Sequence, residues 1–170
     1  MIGTPQPRGA PIAFGGVATR VLARALLAVF VLAGCAATAR PVAFADVAAA
    51  ETSRHTGGPA LIVARTNSAR ATIASLRPGV ALPDGVVLVS VLQGQQPTGG
   101  FSVRITSIAR SGERLVVHAT FTKPLDNAFV TQALTSPLHV VSISVSDAAG
   151  LRDAVLLDET GAEVARASPS

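Results

Sequence analysis

An alternation of apolar and polar residues divides the second half of the chain into predicted β-strands. It is clearest in FSVRITSI (101–108) and RLVVHATF (114–121), where apolar residues recur at every second position. A period of two is typical of a strand that buries one face. Ser111-Gly112 separates the two segments and favours a turn, so together they predict a β-hairpin. The same alternation in LHVVSISVS (138–146) predicts a further strand.

Two apolar segments and one capped segment precede this hairpin. GVVLVSVL (85–92) is apolar at odd and even positions, which predicts a central strand buried on both faces. LIVA (61–64) predicts a short first strand. SARATIASL (68–76) follows Asn67, a residue type that favours helix N-caps, and it ends before Pro78. This segment therefore predicts a short helix.

The C-terminal part predicts a second hairpin and completes the fold class. In AVLLDETGAEVARA (154–167), Gly161 lies in the turn and can take a positive φ without steric cost. KPLDNA (123–128) predicts a loop because proline and Asp-Asn disfavour regular structure. About six strands and one helix result, without the strand–helix alternation of a parallel sheet. We therefore predict a mainly β (α+β) fold, a small antiparallel sheet or sandwich with one short helix.

The N-terminal segment has the pattern of an export signal. Arg20 and Arg24 precede ALLAVFVLA (25–33), so a positively charged stretch is followed by a short apolar stretch. The apolar stretch ends by residue 39 and is shorter than the ~20 residues of a typical membrane span. These features predict a signal peptide at residues 1–34.

The end of this segment resembles a bacterial lipobox. LAGC (32–35) follows the lipobox pattern of Leu, a small residue, Gly or Ala, and then Cys. The resemblance implies cleavage before Cys35 and attachment of a diacylglyceryl group to its sulfur, which would place the protein outside the cytoplasm and attached to the bacterial membrane. Cys35 is the only cysteine, so no intramolecular disulfide can form. An uncleaved short anchor and a non-lipid signal peptide cleaved near 37–39 or 43–45 stay open as alternatives.

The segment between this signal and the predicted strands has no sustained periodicity. Residues 35–60 are rich in small and polar residues and end in HTGGP. They predict a flexible tether that separates a lipid-anchored domain from the membrane, and a poorly packed extension without a role stays open as the alternative. The predicted β domain then occupies residues 61–167.

The net charge of +4 does not indicate a nucleic-acid partner. Three of the 14 basic residues, and none of the 10 acidic ones, precede Cys35. The remaining 11 basic residues nearly balance the acids and are scattered, with few aromatic residues to stack on bases. We therefore predict no binding to nucleic acid.

No residue spacing indicates catalysis or a metal. His55, His118 and His139 are the only histidines, and none shares a short ligand spacing with another. No Gly-x-Ser-x-Gly motif occurs, and the paired acids Asp158-Glu159 lie in a predicted turn. We predict no enzyme activity, no metal site and no cofactor.

The stretch GQQPTGGF (94–101) raises the question of a phosphate-binding loop. It lacks the Walker lysine, and a strand rather than a helix follows, so no helix N-terminus is present to receive an anion. The residue types instead predict a type I turn with Pro97 at its second position, and a bulge or unusual φ at Gly100. Phe101 shares parity with buried positions and predicts a core contact. Thr98, near the tip, is a candidate for binding.

Two short motifs carry a family resemblance. QPTGGF (96–101) and TSPLHVV (135–141) resemble motifs of the PrcB C-terminal domain family, with Phe101 where Tyr is commoner and Leu138 where an aromatic residue is usual. The resemblance covers about 61–167. The candidate site residues of these motifs form a loop that contacts a partner or defines the fold. They are Pro97, Thr98, Gly99, Gly100, Phe101, Thr135 and Pro137.

This family is named for a non-catalytic subunit of a bacterial surface protease complex. The resemblance therefore implies an exported accessory protein, lipid-anchored at Cys35, that assembles with or stabilises an envelope partner such as a protease. One alternative is a chagasin-like inhibitor of papain-like proteases, because 96–101 is similar to an inhibitory loop of that family. This chain has Arg77-Pro78-Gly79 where that family uses Arg-Pro-aromatic, and it contains no Trp. The other alternative is a purely structural envelope lipoprotein.

Overall fold

The computed structural model of the protein describes Gly3 and residues 38–170. The predicted signal peptide and its Cys35 lie outside the described residues. Within the described part, nine strands and two helices occur, and neither helix is long and apolar enough to span a membrane. The strands are β1 (Arg40–Pro41), β2 (Phe44–Ala50), β3 (Ala60–Ala64), β4 (Val87–Leu92), β5 (Ser102–Ser111), β6 (Arg114–Thr122), β7 (Leu138–Ile143), β8 (Asp153–Leu157) and β9 (Glu163–Ala167). The helices are α1 (Asn67–Leu76) and α2 (Val145–Ala148).

The strands form two sheets, which confirms the predicted mainly β class. Sheet A has the order β1-β5-β6-β8-β9, and sheet B has the order β2-β7-β4-β3. All neighbouring strands are antiparallel except β6 and β8. Both predicted hairpins, β5–β6 and β8–β9, are present. The fold is thus a small β-sandwich.

The core lies between the two sheets. Val89 and Val141 of sheet B and Val117 and Leu156 of sheet A are completely buried in one cluster. Burial of a Val or Leu side chain contributes about 1.5–3 kcal/mol, so this layer is the main source of stability. β4 has all six residues buried, as its two-sided apolar pattern predicts, because its other face is also covered.

Helix α1 covers the outer face of sheet B. Its Ile73 packs in a second cluster with Leu88, Leu92 and Leu138. The N-cap is Thr66 and not the predicted Asn67, so the helix begins one residue earlier than expected. The Thr66 side chain accepts a hydrogen bond from the Ala69 backbone N–H at 3.3 Å. The predicted short helix is confirmed, and this layer explains why β4 is apolar at every position.

The pairing of β6 with β8 is parallel, so the predicted antiparallel sandwich contains one parallel pair. The chain leaves sheet A after β6, forms β7 in sheet B, and returns to sheet A as β8. The strand predicted at 138–146 ends at Ile143, because the Ser144 hydroxyl accepts a hydrogen bond from the Asp147 backbone N–H and caps α2. This short helix supplies the turn back toward sheet A.

The predicted tether contains two strands. β2 pairs with β7 along its length, and the Val42 backbone N–H donates to the Ile108 carbonyl at 2.8 Å beside β1. A register shift between Asp46 and Ala48 breaks the period of two, and most β2 side chains are alanines. The apolar pattern is therefore too weak to detect by periodicity. Within residues 38–170, the first strand begins at Arg40, not near residue 61.

Candidate functional site

The two motifs that carry the family resemblance lie at the same edge of sheet B. The first motif, 96–101, follows the end of β4. TSP (135–137), the part of the second motif that precedes β7, is called the second motif from here on. β4 and β7 are antiparallel, and Leu92 pairs with Leu138. The segment that leaves β4 must therefore lie beside the segment that enters β7.

Backbone hydrogen bonds join the two motifs directly. The Gln96 N–H donates to the Thr135 carbonyl at 2.8 Å, and the Thr135 N–H donates to the Gln96 carbonyl at 3.0 Å. The buried Thr135 hydroxyl also donates to the Thr98 carbonyl at 2.7 Å. Because three bonds converge on Thr135, this residue determines the position of the first motif.

Both glycines of the first motif lie close to the segment 123–134, which we call the apolar loop. The Gly99 N–H donates to the Thr131 carbonyl at 2.9 Å, and a Cβ at Gly99 would collide with the Thr131 hydroxyl. Gly100 has φ +82°, and a Cβ there would lie 3.0 Å from Pro124 Cβ and 3.1 Å from Val130 Cγ1. The unusual φ expected at Gly100 is thus present, and the close approach of the apolar loop requires glycine.

The predicted type I turn does not form with its usual hydrogen bond. In that turn the Gly99 N–H would donate to the Gln96 carbonyl. Here the Gly99 N–H donates to Thr131, and the Gln96 carbonyl accepts from Thr135. Contacts between loops replace the local bond, because the apolar loop and the second motif offer better placed partners.

The side chains of the site residues lie in different environments. Phe101 is only partly buried and belongs to neither core cluster, so its predicted core role is wrong. β5 begins one residue later than predicted, at Ser102, so Phe101 lies just before the strand. Pro137 is buried, Pro97 is exposed, and the Thr98 hydroxyl donates to the neighbouring Gly99 carbonyl at 3.2 Å. The binding role of Thr98 stays a prediction.

The apolar loop presents large apolar side chains to solvent. Leu125, Phe129 and Leu134 are 78%, 108% and 65% exposed. Three exposed apolar side chains of this size on one loop make the loop a candidate interaction surface. The sequence predicted a loop at 123–128 but did not single out Phe129 or Leu134. No periodicity covers these residues, and only their positions relative to the sheets show that they are exposed.

One cavity in the described part lies away from the motifs. It has a volume of about 550 Å³ and is lined by Arg65, Thr66 and Arg70 near the start of α1. Arg70 donates to the Val86 and Pro83 carbonyls, and Arg65 donates to the Leu151 carbonyl. Its cationic groups already have partners in the fold, so this cavity is a weaker candidate than the loop surface.

The buried histidine near the second motif is a structural link. His139 accepts a hydrogen bond from the Ile105 N–H at Nδ1, at 3.0 Å, and its Nε2 lies 3.3 Å from Asp46 Oδ1. Nε2 must then carry the proton and donate to the carboxylate. Burial lowers the pKa of His139, although the nearby Asp46 opposes this shift. The histidine therefore connects β7 to β5 and β2 in its neutral form.

The described residues contain no cluster of three or more His, Cys, Asp or Glu side chains placed to hold a metal ion. The His55 Nε2 lies 2.8 Å from the Gly58 carbonyl oxygen of the same loop, and His118 lies on β6. The three histidines thus occupy separate environments. The site offers hydrogen-bonded loops and exposed apolar groups, which suit binding of a protein.

The segment that contains both motifs matches a known protein family. Residues 87–144 match the PrcB C-terminal family model. The match runs from β4 to the end of β7 and includes the apolar loop. It supports the family resemblance for this segment, although it is shorter than the 61–167 expected from the motifs. No curated protein and no solved structure matches the chain.

Proposed function

We propose that this protein is a non-catalytic accessory protein that binds an exported partner through the apolar loop. A protease is the first partner to test, because the PrcB C-terminal match suggests a role in a protease complex. The observation that carries the proposal is the exposure of Leu125, Phe129 and Leu134 within the matched segment. Aromatic residues are enriched at the centres of protein interfaces, and Phe129 is the natural centre of this surface.

Hydrogen bonds from the motifs support the proposed surface. The apolar loop is connected to 96–101 through Thr131, and 96–101 is connected to Thr135. The Ala128 N–H also donates to the Leu125 carbonyl at 2.9 Å, which forms a turn inside the loop. A loop that is ordered before binding loses less conformational entropy on association. The two motifs would therefore prepare the apolar loop for its partner.

The proposal includes membrane attachment through Cys35 and a location outside the cytoplasm. Its support is the sequence pattern of residues 20–35, since Cys35 lies outside the described residues. We expect globomycin to cause accumulation of the unprocessed form, and mass spectrometry to find a lipid-modified N-terminal Cys35. A mature protein that begins at Met1 or Ala36 without lipid would contradict the anchor.

Partner binding can be tested with matched variants of the full chain. An affinity-tagged chain is extracted in detergent from the bacterium that encodes it, and retained proteins are identified by mass spectrometry. Phe129→Ser should reduce retention of an exported protease at least about tenfold, which corresponds to loss of about 1.4 kcal/mol or more of apolar contact. Val145→Ser is the control, because Val145 is also exposed, at 57%, but lies on α2.

Two outcomes of this experiment would contradict the proposal. Recovery of the tagged protein alone under all conditions would favour a purely structural envelope lipoprotein. Equal retention by Phe129→Ser and the wild type would show that the apolar loop is not the contact surface. Reconstitution of the retained protease with the purified full chain then tests whether the contact is direct.

The geometry favours an accessory role over chagasin-like inhibition. An inhibitory loop has to reach into a protease cleft, but Gly99 is buried and Gly100 lies against the apolar loop. A papain assay with the purified full chain separates the two functions. Inhibition at micromolar concentration would favour the inhibitor, whereas unchanged papain activity at high micromolar concentration would reject it.

A further inference from the structure

Arginines that are scattered along the sequence lie together at one end of the β-sandwich. β1 pairs with the end of β5, so Arg40 lies opposite Arg110. β6 and β8 both begin at this end, where Arg114 pairs with Asp153. β3 ends here too, and Arg65 follows it directly. We call this region the basic end, and its arginines are Arg40, Arg65, Arg70, Arg110, Arg114 and Arg152.

The cations of the basic end outnumber its carboxylates. Its acids are Asp84, Glu113, Asp147 and Asp153. Six arginines against four carboxylates give its side chains a net charge of +2. The Arg65 side chain donates to the Leu151 carbonyl at 3.3 Å. The Arg110 side chain donates to the Asp147 carbonyl at 2.8 Å. Carbonyl oxygens carry no net charge, so these bonds hold the two guanidiniums in place without neutralising them.

The opposite end of the sandwich contains the two motifs and the apolar loop, and its side chains have a net charge of −1. Its cations are Arg54, Arg77 and Lys123, and its carboxylates are Glu51, Asp126, Asp158 and Glu159. β5 runs from the first motif to the basic end, and its 10 residues span about 30 Å. The remaining charges form two ion pairs, Arg104 with Asp46 and Arg166 with Glu163. The domain is therefore charged unequally along β5.

The chain also enters the sandwich at the basic end. Val42 is buried, and its N–H donates to the Ile108 carbonyl at 2.8 Å, so the segment that begins with β1 is fixed to β5. Cys35 precedes Arg40 by five residues, and five residues span at most about 18 Å. A membrane anchor at Cys35 would therefore keep the basic end close to the bilayer surface.

We propose that the basic end rests on the anionic phospholipid headgroups of the membrane, with the apolar loop directed away from the bilayer. The inference rests on the proposed function, which includes an anchor before Arg40 and a partner at the apolar loop. A basic residue near an anionic bilayer strengthens binding about fivefold, and arginine forms paired hydrogen bonds with phosphate. The sandwich then holds the apolar loop about 30 Å from the headgroups, where an exported partner can reach it.

Two matched fluorescent labels test this orientation. Ala149 at the basic end and Ala128 in the apolar loop are both exposed alanines. Each is replaced by Cys in the full chain, labelled with a fluorescent maleimide, and reconstituted in phosphatidylglycerol-containing vesicles that carry a spin-label quencher on their headgroups. We expect the label at 149 to be quenched at least about threefold more than the label at 128, because about 30 Å of strand separates the two ends. The chain without an added cysteine gives the background from Cys35.

The dependence on lipid charge separates headgroup binding from proximity alone. Replacing phosphatidylglycerol with neutral phosphatidylcholine, or adding salt, should reduce the quenching ratio, since salt screens exposed charges. Equal quenching of the two labels, or a ratio unchanged in neutral vesicles, would overturn the proposal. A chain that does not bind the anionic vesicles would overturn it as well. Loss of the ratio on addition of double-stranded DNA would assign the basic end to nucleic acid instead of lipid.

Charge variants assign the orientation to the basic end. Arg40 and Arg152 have side chains that are 59% and 79% exposed. Replacing both with Gln removes the net charge of this end and should reduce the quenching ratio at least about twofold. Replacing Arg54 and Arg77 with Gln is the matched control, because both are exposed arginines at the opposite end, and it should not reduce the ratio. An unchanged ratio in the first double variant would overturn the proposal.

Membrane contact and partner binding can fail separately. Retention of the partner by Phe129→Ser is measured in detergent without a bilayer, and quenching requires no partner. If the two labels are quenched equally while Phe129→Ser loses the partner, the membrane contact is wrong and the accessory function stands. If the label at 149 is quenched preferentially but retention does not depend on Phe129, the contact surface is wrong and the orientation stands. An uncleaved N-terminal segment would also attach the chain before Arg40, so the same labels apply to that alternative.

Discussion

The first motif and the apolar loop lie against each other but differ in almost every physical respect. Residues 96–101 contain closely packed glycines, and their backbone is hydrogen-bonded to the apolar loop and to the second motif. The apolar loop 123–134 presents Leu125, Phe129 and Leu134 to solvent. The residues of the first motif, which carry the family resemblance, therefore hold the apolar loop in place, whereas residues outside the motifs form the exposed surface. A short motif can identify a domain without containing its contact residues.

The largest expected effect comes from adding a side-chain atom where these two regions pack closely. Gly100→Ala places a Cβ at φ +82° and about 3 Å from Pro124 and Val130. We expect a loss of about 2–4 kcal/mol in the free energy of unfolding, from backbone strain together with crowding. Urea denaturation of the full chain in detergent measures it.

Gly79→Ala separates the two causes of this loss. Gly79 has φ +87° with nothing within 4 Å of the added Cβ, so its variant reports the backbone strain alone. We expect Gly79→Ala to cost about 1–2 kcal/mol. Equal costs for the two variants would show that contact with the apolar loop does not require glycine at position 100.

A substitution in the exposed apolar loop should affect partner binding but not stability. Phe129→Ser is expected to reduce partner affinity by about 2 kcal/mol through lost apolar contact. It should change the free energy of unfolding by less than about 0.5 kcal/mol, as is usual for surface substitutions. Parallel measurement of unfolding and partner retention checks both. A large loss of stability would mean that the apolar loop belongs to the core.

Removal of the bond between the motifs should have an intermediate effect. Thr135→Val keeps the shape of the side chain but removes the hydroxyl that donates to the Thr98 carbonyl at 2.7 Å. We expect a loss of about 1 kcal/mol in the free energy of unfolding, since the partner carbonyl is left without this donor. Thr160→Val is a suitable comparison, because its hydroxyl forms an exposed bond within one turn. A smaller effect at Thr135 than at Thr160 would contradict the supporting role.

The smallest expected effect is a pH dependence of the free energy of unfolding, which comes from the buried His139. The pKa of His139 is lowered from 6.5, mainly by burial, so the unfolded chain binds the proton more readily than the folded chain. Stability from this group is therefore complete well above pH 6.5 and is lost as the pH falls through 6.5 toward the lower pKa of the folded state. The loss at pH 6 is below about 1 kcal/mol, because the group is only partly protonated in the unfolded chain at that pH.

Urea unfolding between pH 5.5 and 8 can detect this contribution. His139→Gln should reduce the pH dependence, whereas His118→Gln, at a partly buried position on β6, should retain it. The same pH dependence in the wild type and in His139→Gln would show that another group is responsible. Because His139 follows the second motif by two residues, its protonation weakens the sheet edge that supports the loops.

Much of the fold follows from local pattern. The alternation in 101–108 and 114–121 predicted the β5–β6 hairpin, and the two-sided apolar pattern of 85–92 predicted the central strand β4. These predictions succeed because a period of two records which face of a strand is buried. β2 escaped detection, since its bulge at Asp46 removes that period. The parallel pairing of β8 with β6 also has no local pattern, because it depends on the excursion of the chain through sheet B.

The sequence by itself determined the mainly β class, the hairpins, the short helix and the two motifs of the family resemblance. Only the tertiary structure decided that the two motifs meet, because Gln96 and Thr135, 39 positions apart, become neighbours when β4 pairs with β7. It also decided that Phe129 is exposed and His139 buried. Burial and hydrogen bonding depend on neighbours that are distant in sequence, and no local pattern of residue types records them.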